Sequence, residues 1–250
     1  MMQKIKIRTM AVMAIVVILM IPLAIFTIND HQNIDKQIAW QNTSLDKALM
    51  DKYPLLNSIY NELFADYDAN NYEQYIIKNK DNYSSEKQLK IEEIQKLFEQ
   101  EVNLLLQKQV IDRSLLELSP NEPFQVNFGT IYDRKIDEHG TYNLEQIYRY
   151  NTDNDNSVTF SINAQGKKIT NLSIANHLLS KLSQADLKKM TWQMIEYLGL
   201  EEIDDWSYTD FGYESYLAKL QVVSDLSEYS GSYYLNISVR ILGSNLNIIT

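Results

Sequence analysis

Residue types able to do chemistry are few in this chain and scattered along it. Of the three histidines, His31, His139 and His177, no two stand three or four apart, the spacing that brings two imidazoles to one helix face for a metal. His139 lies in Glu138-His139-Gly140, which reads as a hairpin turn with a solvated imidazole. The chain has no cysteine, which excludes thiol catalysis, cysteine-held zinc and disulfides. Two stretches imitate calcium loops, Asp66, Asp68 and Asn70, then Asn151, Asp153 and Asp155. An EF-hand loop needs Gly at its sixth place and Glu at its twelfth. These stretches carry Asn71 and Ile77, and Asn156 and Ile162, at those places, so both read as polar turns. Glu201, Glu202, Asp204 and Asp205 follow Gly199 and read as a solvated acidic turn rather than an acid–base pair. Seven glycines, spread singly, leave no phosphate loop and no nucleophile elbow. The expectation is therefore no catalytic residue, no metal ligand and no cofactor.

Tyrosine has more to offer. Seventeen are present, several in stretches of strand-like alternation. Tyrosine favours half-buried sheets, but it also supplies contact area with a polar tip. Tyr148, Tyr150, Tyr234 and Arg240 are the candidate interaction surface.

These residues need elements to position them, and the first is not part of a soluble core. From Met10 to Ile28 nineteen residues carry no charge. At about 1.5 Å per residue they span roughly 28 Å, close to the hydrocarbon thickness of a bilayer. Lys4, Lys6 and Arg8 precede the run, and Asp30 and Asp35 follow it, which predicts a cytoplasmic N-terminus and an external remainder. A cleaved signal peptide is the rival reading, but Pro22 to Ile28 shows no Ala-x-Ala site, so a retained single-pass anchor is expected. The net charge is −10, and the three cations before the run contribute +3, leaving about −13 outside the membrane. Such a surface repels nucleic acid and anionic headgroups. Richness in Asn, Ile, Lys and Tyr fits an exported protein of a low-GC bacterium.

Beyond the anchor, residues 29–84 read as a helical juxtamembrane region, with Leu55, Leu56, Ile59, Tyr60, Leu63 and Phe64 at helical spacing behind Pro54. Ser85 and Gln88 make a capping-box pair for a helix reaching about Leu118, where Ser119-Pro120 stops it. The period then becomes two in Phe124–Phe128, Tyr142–Tyr150, Val158–Ile162 and Ile169–Ile174. The same order restarts with Ser183 and Asp186, a helix closed by Gly199, and strands near Trp206–Phe211, Tyr216–Ser224 and Tyr233–Ile241, with Leu246–Ile249 after Gly243. Val158, Phe160, Ile162 and Gly166 match Leu235, Ile237, Val239 and Gly243 at a constant offset of 77.

The expected fold is α+β: a cytoplasmic tail at 1–9, a transmembrane helix at 10–28, the helical region at 29–84, and two helix-plus-antiparallel-meander modules at 85–182 and 183–250. The closing hairpin Val158-Thr-Phe-Ser-Ile-Asn-Ala-Gln-Gly-Lys-Lys-Ile-Thr is similar to that of PepSY and cystatin-like modules of exported Gram-positive proteins. That resemblance implies a regulatory, inhibitory or partner-binding role without a catalytic site. The expected function is a non-catalytic, membrane-tethered extracytoplasmic regulator or accessory subunit. Its partners would be the bilayer, through residues 10–28, and a membrane protein such as a sensor kinase, protease or transporter, not nucleic acid. A peptidase inhibitor or an envelope peptide- or glycan-binding module is the alternative. An envelope hydrolase using carboxylates is third.

Overall fold

The computed structural model describes residues 45–63, 72–127, 129–136, 139–151, 154–229 and 231–242. Helix α1 is Lys47–Lys52, opened by Asp46, whose carboxylate accepts the Ala48 N–H at 2.9 Å. Helix α2, Pro54–Leu63, begins on the proline that suits a first helical turn. Strand β1, Glu73–Ile76, lies within the stretch expected to be helical.

Helix α3 is Ser85–Gln107, and its cap lies one residue earlier than expected. The cap is Ser84, and the Gln88 amide donates instead to the Tyr83 carbonyl at 2.9 Å. The helix stops well short of Leu118. At Gln109 the backbone turns left-handed, with φ of 58°, which lets the Val110 N–H reach the Leu105 carbonyl and sends Val110 and Ile111 into the core. A 3₁₀ turn, Arg113–Leu116, follows. Helix α4, Gln184–Leu198, has a Ser183–Asp186 capping box and ends on Gly199 at φ 69°.

The strand-like stretch after Pro123 is not a strand. Phe124 and Val126 are buried, but their backbone is bonded by helix side chains. Asn103 Oδ1 accepts the Phe124 N–H at 3.1 Å and its amide donates to the Phe124 carbonyl at 3.2 Å. Glu99 accepts the Val126 N–H at 2.9 Å, and Gln95 donates to the Val126 carbonyl at 2.8 Å. Residues 95, 99 and 103 recur every four positions, so one face of α3 supplies what a neighbouring strand would.

The remaining strands are β2 Thr130–Ile136, β3 His139–Asn151, β4 Asn154–Asn163, β5 Ile169–Ala175, β6 Ser207–Thr209, β7 Gly212–Ser215, β8 Leu220–Tyr229 and β9 Ser232–Ile241. All nine form one antiparallel sheet in the order β1-β2-β3-β4-β5-β9-β8-β7-β6. This corrects the expectation of two helix-plus-meander modules. The last strand of the first meander pairs with the last strand of the second, so the sheet runs without a break through β5 and β9. Two open edges on separate modules would each present unpaired N–H and C=O groups, and joining them removes both.

A second correction concerns the membrane. Among the described residues no helix is long and apolar enough to cross one, so the transmembrane, single-pass and signal-anchor elements form no part of the observed fold. Residues 10–28 lie outside the described residues.

The offset of 77 has a structural counterpart. Ile174 of β5 faces Val158 on one side and Leu235 on the other, and Leu172 faces Phe160 and Ile237. Residues 77 apart therefore stand level with each other across β5, in rows that continue to Leu144 on β3 and Ile131 on β2. Helices α3 and α4 cover this apolar face. Phe98, Val102 and Leu105 are buried from α3, Met194 and Ile195 from α4, and Phe124 meets Phe160 edge-on at 5.8 Å between ring centroids. The other face carries small polar residues, among them Thr159, Ser161, Asn171, Ser173 and Asn236. Helix α2 lies at one end of the strands. The Asn163 amide donates to the Ser58 carbonyl at 2.9 Å, and the Tyr60 hydroxyl donates to the Ala218 carbonyl at 3.0 Å.

At Gly212, φ is 124° and an added Cβ would run into the Val222 carbonyl oxygen. Gly212→Ala should destabilise the fold by more than about 1 kcal/mol, read as a lower urea midpoint at unchanged m.

Candidate functional site

Three buried carboxylates are the strongest polar features of the interior, and each is met by donors. Glu101 of α3 accepts from the Tyr197 hydroxyl at 2.5 Å and from the Lys168 ammonium at 2.9 Å. Tyr197 in turn accepts the Ile169 N–H at 2.8 Å, so α3, α4 and the start of β5 meet at one point. Burial, then the Glu101 carboxylate, push the Tyr197 hydroxyl well above the ordinary range, and it stays a donor. Asp133 of β2 pairs with Lys90 of α3 at 2.5 Å. Its Oδ1 has no hydrogen-bond partner among the described residues.

Glu62 of α2 accepts from the Asn163 amide at 2.6 Å and from the Thr170 hydroxyl at 3.3 Å. Burial raises its pKa to about 7, against the opposing pull of those two hydrogen bonds. Thr170 reaches it because β5 is irregular there: Ile162 pairs with Ile169 while Ser161 pairs with Asn171, leaving Thr170 between.

A cleft of about 630 Å³ lies between α3 and the β4–β5 turn, lined in part by Lys90, Lys96, Gln100, Tyr142 and Lys167. It gathers three ammonium groups, the Glu93 carboxylate and the Tyr142 phenol. Among the described residues no group of three His, Asp or Glu converges as metal ligands would.

The residues singled out in the sequence do not form one cluster. Tyr148 and Tyr150 fall in β3, with Tyr148 opposite Asn156, but their side chains lie outside the described residues. Tyr234 and Arg240 share the polar face of β9. Tyr234 is opposite Ala175 and Ser227, and Arg240 is opposite Gln221 with its Nε donating to Ser238 Oγ at 3.0 Å. Both are half-buried, and six residues of strand put them about 20 Å apart. His139 is the first residue of β3, paired with Ile136, rather than a loop residue. His177 opens a 3₁₀ turn. Residues 66, 68, 70 and 153 lie outside the described residues. Asp205 is not merely a solvated acid: it accepts from Ser215 Oγ at 2.5 Å and from the Leu217 N–H at 2.8 Å.

The feature that sequence reasoning missed is apolar and exposed. Phe211 is 69% exposed, Tyr216 63%, Leu217 54% and Tyr208 43%. They account for four of the seven large hydrophobics that are exposed among the described residues, and all fall within ten positions. A signal existed: positions 208, 211, 213, 216 and 217 fit neither strict alternation nor helical spacing, so a strand here could not turn all of them inward. The structure resolves this with turns at 210–211 and 216–219.

Compared with family models, with curated proteins and with solved structures, the chain matches none of them.

Proposed function

We propose that this chain is a non-catalytic accessory or regulatory module that works by binding another protein. The observation that carries the reading is the exposure of Tyr208, Phe211, Tyr216 and Leu217 along the outer hairpins of the sheet, with Phe211 in the turn at one end of β7 and Tyr216 and Leu217 in the turn at the other. Large apolar side chains left exposed on ordered turns are available for protein contacts, and Tyr is favoured at the centres of such contacts. The buried acids support the same reading, since Glu62 and Glu101 already hold neutral or cationic donors from neighbouring elements. Resemblance of the 158–170 hairpin to PepSY and cystatin-like modules is in keeping with it. A position outside the cytoplasm, beside a membrane-resident kinase, protease or transporter, belongs to the proposal on the charge asymmetry around residues 10–28 alone.

The test is a double substitution, Phe211→Ser with Leu217→Ser, in the tagged full-length chain. Exposed positions of this kind cost about 0.5 kcal/mol or less each, so the melt should barely move. Recovery of co-purifying proteins, compared with wild type by quantitative mass spectrometry, should fall at least tenfold for the true partner. An unchanged protein profile would remove the basis of the reading.

A further inference from the structure

The β7–β8 turn is unusual in being held firmly from inside while its tip stays uncovered. Ser215 and Ala218 are fully buried, and the Ala218 N–H donates to Ser215 Oγ at 2.9 Å. Asp205 clamps the turn by accepting from Ser215 Oγ and the Leu217 N–H. From α2, the Tyr60 hydroxyl lies 3.0 and 3.1 Å from the Ala218 and Lys219 carbonyl oxygens, and the Leu242 N–H donates to the Lys219 carbonyl at 3.0 Å. All but the Ser215–Asp205 bond hold a backbone group directly. None covers Tyr216 or Leu217, which project from a turn whose inward places are taken by smaller residues.

The segment that carries the tip has charge of one sign, although Lys188 of α4 brings its Nζ within 4.2 Å of the Tyr208 ring centroid. Between Lys189 and Lys219 the chain carries seven acidic residues and no basic one. Glu196, Asp205 and Glu214 are engaged by Trp192, by Ser215 and Leu217, and by Thr209 and Gln221. Glu202 meets Lys52 at 3.6 Å. Glu201 and Asp204 are exposed, make no ion pair among the described residues, and belong to the loop that Asp205 ties to the turn. Lys219 is the cation nearest the tip in sequence, and burial holds its pKa below the ordinary value.

We propose, resting on the protein-binding reading above, that Tyr216 and Leu217 are the anchor of the contact. They enter an apolar pocket on the partner protein whose rim carries Lys or Arg. A tip ordered before binding loses little freedom on docking. A tyrosine with an aliphatic neighbour fits the usual make-up of a contact centre, and Glu201 and Asp204 steer a cationic rim toward it.

The test places a photoactivatable benzophenone side chain at Leu217, and separately at Phe211, in the full-length chain within the cells that make it. The residue-217 probe should join a segment bearing apolar residues flanked by Lys or Arg, identified by sequencing the adduct. With that partner purified, Glu201→Lys with Asp204→Lys should weaken binding at least tenfold at low salt and flatten its salt dependence. Tyr216→Ser should weaken it comparably, with unchanged circular dichroism in both variants. An acidic or wholly polar adduct, or an affinity indifferent to the charge reversals, overturns the inference. Adducts from residue 211 with none from residue 217 would overturn it while leaving the protein-binding reading standing. No protein adduct from either position would end both.

Discussion

Phe160→Ala should cost about 3–5 kcal/mol and shift the unfolding of the whole 45–242 unit in one transition. Phe160 is fully buried, faces Leu144 on β3 and Leu172 on β5, and meets the Phe124 ring. The cavity would open in the first meander, but the probe belongs to the second. Trp192 packs against Tyr213, and Trp206 donates to the Leu200 carbonyl at 2.8 Å. In a Trp40→Phe background their fluorescence reports on the β6–β9 half alone. Because β5 and β9 share a ladder, the fluorescence midpoint in urea should fall with the circular-dichroism midpoint. A fluorescence transition that stays put while the dichroism transition moves would mean two independently folding halves.

Stability should fall as pH rises from about 4.5 to about 7, by on the order of 3 kcal/mol from Glu62 alone. Burial raises this carboxyl from 4.5 to about 7, so within that window the folded chain keeps a proton that the unfolded chain has released. The unfolded state binds fewer protons there, and the slope of unfolding free energy with pH is negative. The contribution is fully present below the unfolded pKa and is gone above the folded one. The hydrogen-bond partners Asn163 and Thr170 are neutral and cannot offset the charge as a cation would. Glu62→Gln keeps an oxygen to accept from Asn163 and removes the titration. The variant should unfold at higher urea than wild type at pH 8 and at similar urea at pH 5. Parallel profiles across that range would show that Glu62 is not held neutral.

Features set by a few consecutive residues could be read from the sequence. The Ser183–Asp186 box and Gly199 bound α4, and the alternation of Leu235, Ile237 and Val239 puts them on one face of β9. Features set by partners could not. Phe124 and Val126 alternate like strand residues, but their backbone bonds go to Asn103, Glu99 and Gln95, side chains some twenty to thirty positions away. Period-two alternation also says which face a residue takes and nothing of which strand lies beside it. The β5–β9 pairing, and with it the single sheet, was therefore invisible. The contact tip was hidden for a different reason. Tyr216 and Leu217 are apolar and so read as strand residues, while the residues that hold the turn, Asp205, Ser215 and Tyr60, are distributed over three separate segments.

The place of β5 in the middle of the sheet also sets a schedule for biosynthesis. Its partner residues on β9 lie 59 to 67 positions later, from Ala175 with Tyr234 to Asn171 with Ser238. At about 5–20 residues per second the ribosome needs roughly 3–13 s to supply them. Through that interval the first meander can be complete while the outer edge of β5 has nothing to pair with. A nascent chain is then a template for any strand nearby, including β5 of another copy. Slowing elongation between residues 176 and 233 with synonymous rare codons should therefore raise the aggregated fraction, although the finished protein is identical.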